Sequence, residues 1–134
     1  MVKKASMSLL FRQSWTEPGS DLVPATRHLV RGSVEKFWDG ATEEKYDDIE
    51  LVTGELLANA VFYAKAPLTI EVSTKDAGVR IEVNDHSPDL LPPPPPQAAL
   101  AETGRGLMLT ALLSSAWGWE VNQHSKTIWV EFTR

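Results

Sequence analysis

Apolar and polar residues alternate along five short stretches of the chain, and this two-residue period is typical of half-buried β-strands. The alternation predicts strands over residues 11–17, 68–74, 79–84, 117–121 and 128–132. Pro18-Gly19 closes the first strand, because this dipeptide marks a turn. Asp76-Ala77-Gly78 separates the second strand from the third and predicts a hairpin, and the last two strands form another.

Between these strands, apolar residues recur at the three- and four-residue spacing of a helix. A first helix is predicted from Ser20 or Asp21 to about Trp38. Thr42 caps a second helix, and the helix dipole favours the acidic residues that follow it directly. This helix is expected to run to about Ala66 and to stop at Pro67. Residues 104–114 predict a third helix.

The order of these elements predicts an α+β fold with two layers. Consecutive hairpins favour a mixed, mostly antiparallel sheet, and the grouped helices are expected to cover one of its faces. The 134 residues suit one domain covering residues 1–134, in which residues 1–8 form a loose arm. The long break over residues 85–103 contains five consecutive prolines, which make part of it stiff and extended.

The composition of the chain excludes several classes of function. A net charge of −5 argues against a nucleic-acid-binding protein, which usually carries a basic face. Without cysteine, disulfides and thiolate zinc sites are excluded. No secretory signal and no membrane-spanning run stand out, so we expect a cytoplasmic protein without membrane contact.

The second helix carries the clearest anomaly. Its sequence from Leu51 to Ala66 is apolar on nearly every side, which predicts a buried helix, yet Glu55 and Asn59 interrupt it. The two lie four residues apart and therefore share one face. A carboxylate and an amide oxygen so placed suit a Mg²⁺ ion that shares its waters with phosphates. The alternative is a helix edge where Glu55 meets solvent and Asn59 bonds nearby backbone.

Three further positions carry weaker signals. Asp85 follows a strand, where its carboxylate is suited to accept a hydrogen bond from an exocyclic amine such as that of adenine, or simply to cap the turn. Gly104-Arg105-Gly106-Leu107 begins a helix, so its backbone amides suit phosphate oxygens, although a plain helix start is equally consistent. Thr127 has a hydroxyl that suits a base or a water, or is an ordinary strand threonine.

Other chemistries fit poorly. Neither a P-loop nor a Gly-x-Ser-x-Gly motif is present, and the three histidines are scattered without the spacing of a zinc hydrolase. The five tryptophans are typical of a core or an interface. The proline run could bind a proline-recognising domain, but it lacks a flanking arginine motif.

The order and spacing of these motifs resemble the histidine-kinase-like (GHKL) ATPases, from the first strand to Phe132. Glu55-Leu-Leu-Ala-Asn59-Ala60 resembles their N box, and Asp85-His86-Ser87-Pro88 resembles their first glycine box. Gly104-Arg105-Gly106-Leu107 resembles the second glycine box, and Lys126-Thr127 matches the position of the family threonine. The resemblance is greatest to short anti-sigma regulatory factors of the serine-kinase type. It implies the Bergerat-type ATP-binding fold, with residues 86–103 as the ATP lid.

The resemblance also implies a role for each matching residue. Asn59 would bind Mg²⁺ between the phosphates of ATP, and Glu55 would be the general base. Asp85 would bond the adenine amino group, Gly104-Arg105-Gly106-Leu107 would cradle the phosphates, and Thr127 would support the base. The anti-sigma kinases phosphorylate a serine of an anti-anti-sigma factor and hold a sigma factor inactive, usually as homodimers.

Three hypotheses follow from these motifs. The first is a protein-serine kinase that switches a sigma factor, and the second is a nucleotide-dependent binding module without phosphoryl transfer. The third is an adaptor without ATP that acts through its proline run or its tryptophans. The chain departs from the wider superfamily at Ser87 and Asp89, which replace glycines, and at Phe62-Tyr63, where relatives often carry Arg-His. No phosphoacceptor helix precedes the domain, which argues against a sensor histidine kinase.

Overall fold

The computed structural model describes residues 7–88 and 105–133 and confirms the α+β architecture. Eight elements follow the predicted order: β1 (Leu9–Trp15), α1 (Leu22–Phe37), α2 (Glu43–Tyr63), β2 (Leu68–Lys75), β3 (Gly78–Asp85), α3 (Arg105–Leu113), β4 (Ala116–Val121) and β5 (Lys126–Phe132). The strands form one sheet in the order β1-β2-β3-β5-β4. Every strand pair in the described ranges is antiparallel.

The two faces of the sheet have opposite character. The register pairs Val83 with Ile128 and Ile81 with Val130, so these apolar side chains share one face. They pack into a core with Val30, Val34 and other apolar residues of the helices. Because successive strand residues point to opposite sides, the residues between them lie on the other face, which we call the open face. In the part of the chain that the structure describes, helices cover only one side of the sheet, and the open face is mostly polar.

Helix α2 begins and ends where local chemistry requires. The side chain of Thr42 accepts a hydrogen bond from the backbone N–H of Lys45 at 3.1 Å, as expected of an N-cap. The helix ends at Tyr63, three residues before the predicted limit at Ala66, because Ala64 already has extended backbone with ψ of 164°. The nearby Pro67 favours this extended approach.

The prediction that α2 is buried on nearly every side is wrong. Val52, Leu56 and Leu57 are buried against the core, but 41% of Leu51 and 66% of Phe62 are exposed. Among the described elements, the helix makes its main contacts with α1, α3 and β3, and none of these covers the side that carries Leu51 and Phe62. None of the helices in the described residues combines the length and apolarity that a membrane span requires.

A cluster of ion pairs around Arg31 ties α1 to the start of α2. Its guanidinium contacts the carboxylates of four acids at 2.6–3.5 Å, namely Glu35, Glu43, Asp47 and Glu50. The hydrogen bonds that Arg31 donates to Asp47 and Glu50 raise its pKa above the usual value. The guanidinium also lies 5.8 Å from the ring centroid of Tyr46, so charge and packing act on the same helix pair.

The β2–β3 hairpin is joined to the end of α1. Trp38 is buried directly after α1, and its indole N–H donates to the carbonyl of Ala77 in the hairpin turn at 3.1 Å. Asp76 takes the left-handed conformation at this turn, with φ of 54°. Gly78 follows, and a Cβ added there would lie 2.4 Å from the carbonyl oxygen of Phe132. The hairpin therefore approaches β5 too closely for a side chain at residue 78.

Replacing Gly78 by alanine is expected to lower the free energy of unfolding by about 2 kcal/mol or more, because the methyl group would meet fixed backbone. Gly32→Ala is the matched control, since nothing lies within 4 Å of a Cβ added to this glycine of α1. It is expected to raise stability by up to about 1 kcal/mol through helix propensity. Urea denaturation of both variants checks this, and a Gly78→Ala protein as stable as Gly32→Ala would contradict it.

On the open face, Glu131 accepts hydrogen bonds from Lys75 and Arg80, each at 2.7 Å. Burial alone would raise the pKa of Glu131, but these two hydrogen bonds outweigh it and lower the pKa below the ordinary 4.5. A lowered pKa means that the ionised group stabilises the fold above pH 4.5. That contribution is lost as the pH falls through the folded-state pKa.

Glu131→Gln is expected to cost about 1–3 kcal/mol of stability at neutral pH, because two charge-assisted bonds are lost. The difference in the free energy of unfolding between the variant and the wild type is expected to shrink as the pH falls below 4.5, since the wild-type carboxylate then becomes protonated. Urea denaturation across this pH range measures it. Glu17→Gln, in the exposed loop after β1, is the control, and an equal loss at every pH would refute the ion-pair account.

Candidate functional site

The candidate site lies where the end of α2 meets the end of β3. The backbone N–H of Lys65 donates to Ser87 Oγ at 2.6 Å, and the backbone N–H of His86 donates to the Lys65 carbonyl at 3.0 Å. These two bonds hold the segment after α2 beside the turn after β3. They bring the helix that carries Glu55 and Asn59 alongside the strand that ends in Asp85.

Asp85 is the buried acid of this region. It shares a strand face with Val83, which directs its carboxylate towards the helices, and only 2% of the residue is exposed. Its Oδ1 accepts a hydrogen bond from the backbone N–H of Ser87 at 2.8 Å, so the turn-capping role is observed. Burial raises the pKa of Asp85, although the nearby Lys126 opposes that shift.

Lys126 lies beside Asp85, and the sequence analysis names it only in the Lys126-Thr127 motif, without a role of its own. It pairs with Asp85 across β3 and β5, its Nζ lies 3.5 Å from Asp85 Oδ2, and only 5% of it is exposed. The signal was the alternation along β5. Because Ile128, Val130 and Phe132 face the core, residue 126 must face it too, and a lysine at such a position requires an explanation.

Thr127 lies on the opposite side of the sheet from Asp85. It pairs with Asn84, whose Nδ2 donates to Thr127 Oγ1 at 2.8 Å and to Ser125 Oγ at 3.3 Å. Both side chains line a shallow groove of about 210 Å³ on the open face, together with Arg12, Thr69, Glu71 and Glu82. The structure therefore does not bring the Thr127 hydroxyl together with the Asp85 carboxylate.

Glu55 and Asn59 lie one turn apart on α2, and both are half-buried. Within the described residues, no hydrogen bond or ion pair engages either side chain, so their oxygens are available to a ligand. Nor does any group of three or more His, Asp or Glu there suit a metal ion. A Mg²⁺ ion held by one or two of these oxygens would need phosphate and water as its other ligands, which is its usual preference.

The remaining predicted residues are described in part or not at all. Helix α3 begins at Arg105, in agreement with the predicted helix start, but nothing is described of the side chains of Arg105, Gly106 and Leu107. Gly104, Asp89 and most of the predicted lid (residues 89–103) lie outside the described residues. So do residues 1–6 of the predicted arm, whereas Ser8 is bonded to Thr74 at the edge of β2.

The comparisons with known proteins concern the family and the fold of the chain. Residues 19–132 match a family model described as the histidine kinase-like ATPase domain. No curated protein matches the sequence. Among solved structures, the crystal structure of the RsbU and RsbW domains of Rv1364c from Mycobacterium tuberculosis has a similar fold, with a TM-score of 0.66 and 17% identity. The match covers 91% of this chain and 32% of that chain, so this chain spans about a third of its length.

Ser87→Ala is expected to lower the free energy of unfolding by about 1–2 kcal/mol, because it removes the acceptor of the Lys65 N–H from a fully buried position. Ser14→Ala is the matched control, since Ser14 bonds Thr69 at the exposed edge of the sheet. Amide exchange of Lys65 is the direct measurement and is expected to accelerate in Ser87→Ala alone. Unchanged exchange would show that this bond does not hold the two ends together.

Proposed function

Because this chain belongs to the histidine kinase-like ATPase domain family, we propose that it is an ATP-binding regulator of the anti-sigma factor type. The observation that carries the proposal is the buried carboxylate of Asp85, at the end of the strand that adjoins the helix bearing Glu55 and Asn59. A buried acid of this kind is typical of a binding site, since desolvation of a carboxylate is costly.

The residues present suit ATP. Asp85 is proposed to accept a hydrogen bond from the exocyclic amine of adenine, for which a buried carboxylate is a strong acceptor. Asn59 is proposed to bind a Mg²⁺ ion through its amide oxygen, and that ion would neutralise phosphate charge. Gly104-Arg105-Gly106-Leu107, at the start of α3, is proposed to hold the phosphates by its backbone amides and the guanidinium.

Glu55 is proposed to act as the general base of a protein-serine kinase. It would take the proton from the serine hydroxyl of a partner protein while that oxygen attacks the γ-phosphorus of ATP, and ADP would leave. The partner is proposed to be an anti-anti-sigma factor, with a sigma factor as the regulated target and a homodimer as the working form. The motif resemblance and the fold shared with a structure that contains an RsbW domain support this choice.

The exposed side of α2 favours a second candidate function. Leu51 and Phe62 stand one and two turns from Glu55 on the same side of the helix, and both are exposed. An apolar surface beside the proposed base suits a docked protein, whether or not a phosphoryl group is transferred. A nucleotide-dependent module that sequesters its partner without transfer therefore uses the same surface.

Calorimetry with Mg-ATP tests the binding site. The wild type is expected to bind, and Asp85→Asn to lose at least about tenfold in affinity, because an amide accepts the base amine more weakly. Asn59→Ala is expected to weaken Mg-ATP binding, with a smaller effect when the metal is chelated. Glu71→Gln, on the open face, is the control. Equal affinity of all variants, or no binding by the wild type, would reject the proposed site.

Transfer of radiolabelled γ-phosphate to an anti-anti-sigma protein tests the kinase. Glu55→Gln is expected to abolish labelling while ATP binding remains, because the amide cannot accept the serine proton. Glu44→Gln, an exposed acid in the first turn of α2, is the control. Label on the partner with Glu55→Gln would exclude Glu55 as the base. Binding of ATP and partner without any labelling by the wild type would favour the second candidate.

A further inference from the structure

Lys126 has a buried ammonium beside Asp85, and the proposed function gives it no role. A charged side chain is seldom buried, because the loss of hydration costs several kcal/mol. Lys126 and Asp85 face each other across β3 and β5, and less than a tenth of either side chain is exposed. The pair is thus held in place by the register of the two central strands.

The distances show that this contact is loose. A strong charge-assisted N–H···O bond spans about 2.7–2.9 Å. Lys126 Nζ lies 3.5 Å from Asp85 Oδ2, whereas Oδ1 has a close partner in the Ser87 N–H at 2.8 Å. Oδ2 is therefore the oxygen that remains for a further donor. A ligand that uses it necessarily comes close to the Lys126 ammonium.

An acceptor and a donor side by side match one kind of base edge. The exocyclic amine of adenine is a donor, and the adjacent ring nitrogen N1 is an acceptor. Guanine presents the opposite order, with its O6 acceptor beside the N1–H donor. A fixed pair of Asp85 and Lys126 therefore complements adenine and opposes guanine in the same position.

We propose that Lys126 is a second residue that recognises the nucleobase, donating a hydrogen bond to N1 of adenine while Asp85 accepts from the exocyclic amine. The inference rests on the proposed ATP-binding function and adds to it the basis for choosing adenine. Lys126 is then a specificity residue, and its burial fixes the direction of its donor. If Lys126 only neutralised Asp85, N1 of the nucleotide would not affect binding.

Nucleotide analogues test this with the wild-type chain. In 1-deaza-ATP a C–H group replaces N1, and in 7-deaza-ATP a C–H group replaces a nitrogen at a different edge. Calorimetry is expected to show that 1-deaza-ATP and GTP bind at least about tenfold more weakly than ATP, while 7-deaza-ATP stays within about threefold. Equal binding of ATP and 1-deaza-ATP would overturn the inference, and so would an equal loss with 7-deaza-ATP.

The same analogues are then tested with Lys126→Met, which completes a double-mutant cycle between residue 126 and N1 of the base. Circular dichroism shows whether this variant is folded. The ratio of ATP to 1-deaza-ATP affinity is expected to fall close to one, because the donor to N1 is gone. An unchanged ratio would assign N1 to another group and refute the inference. If Lys126→Met does not fold, the wild-type analogue series decides. Failure of the wild type to bind ATP at all would instead reject the proposed function, so the two failures are distinct.

Discussion

The alternation of side chains across a sheet whose described helices cover one face determines the rest of this structure. Each strand residue lies either in the apolar layer beneath the helices or on the polar open face. This constraint places Asp85 and Lys126 together in the interior and Asn84 and Thr127 together on the open face. Yet on each strand the inner and the outer residue are adjacent in sequence. The candidate site is thus a consequence of strand register as much as of residue identity.

The register would have little effect on function without the bonds that join the layers. The Arg31 cluster connects α1 to the first half of α2, and the indole of Trp38 connects the end of α1 to the turn of the β2–β3 hairpin. At the other end, Lys65 is bonded to Ser87 and His86. The helix that carries Glu55 and Asn59 is therefore fixed at both ends. Side chains on such an element are positioned more precisely than side chains on loops.

Much of this was predictable from the sequence, because hydrophobic periodicity gives the type and order of the elements directly. The spacing of Glu55 and Asn59 likewise places them on one helix face. The errors have physical causes. Motif matching uses the order of residues and neglects the strand face, so it does not show that Lys126, and not Thr127, lies beside Asp85. Periodicity also cannot show which neighbours cover a helix, and the exposure of Phe62 was missed. The bond from Lys65 to Ser87 joins residues too far apart for any local pattern.

The turn between β4 and β5 has a consequence for how such sites diversify. It is a short polar segment in which Asn122 Oδ1 accepts the backbone N–H groups of His124 and Ser125. Because strand faces alternate, a shift of β5 by one place would turn Ile128, Val130 and Phe132 out of the core, so a change in the length of this turn is expected to be absorbed by the turn itself. Evolution can therefore lengthen or shorten this surface turn without changing which residue faces the buried acid, and exchanging that charged neighbour requires a replacement inside the strand, at residue 126.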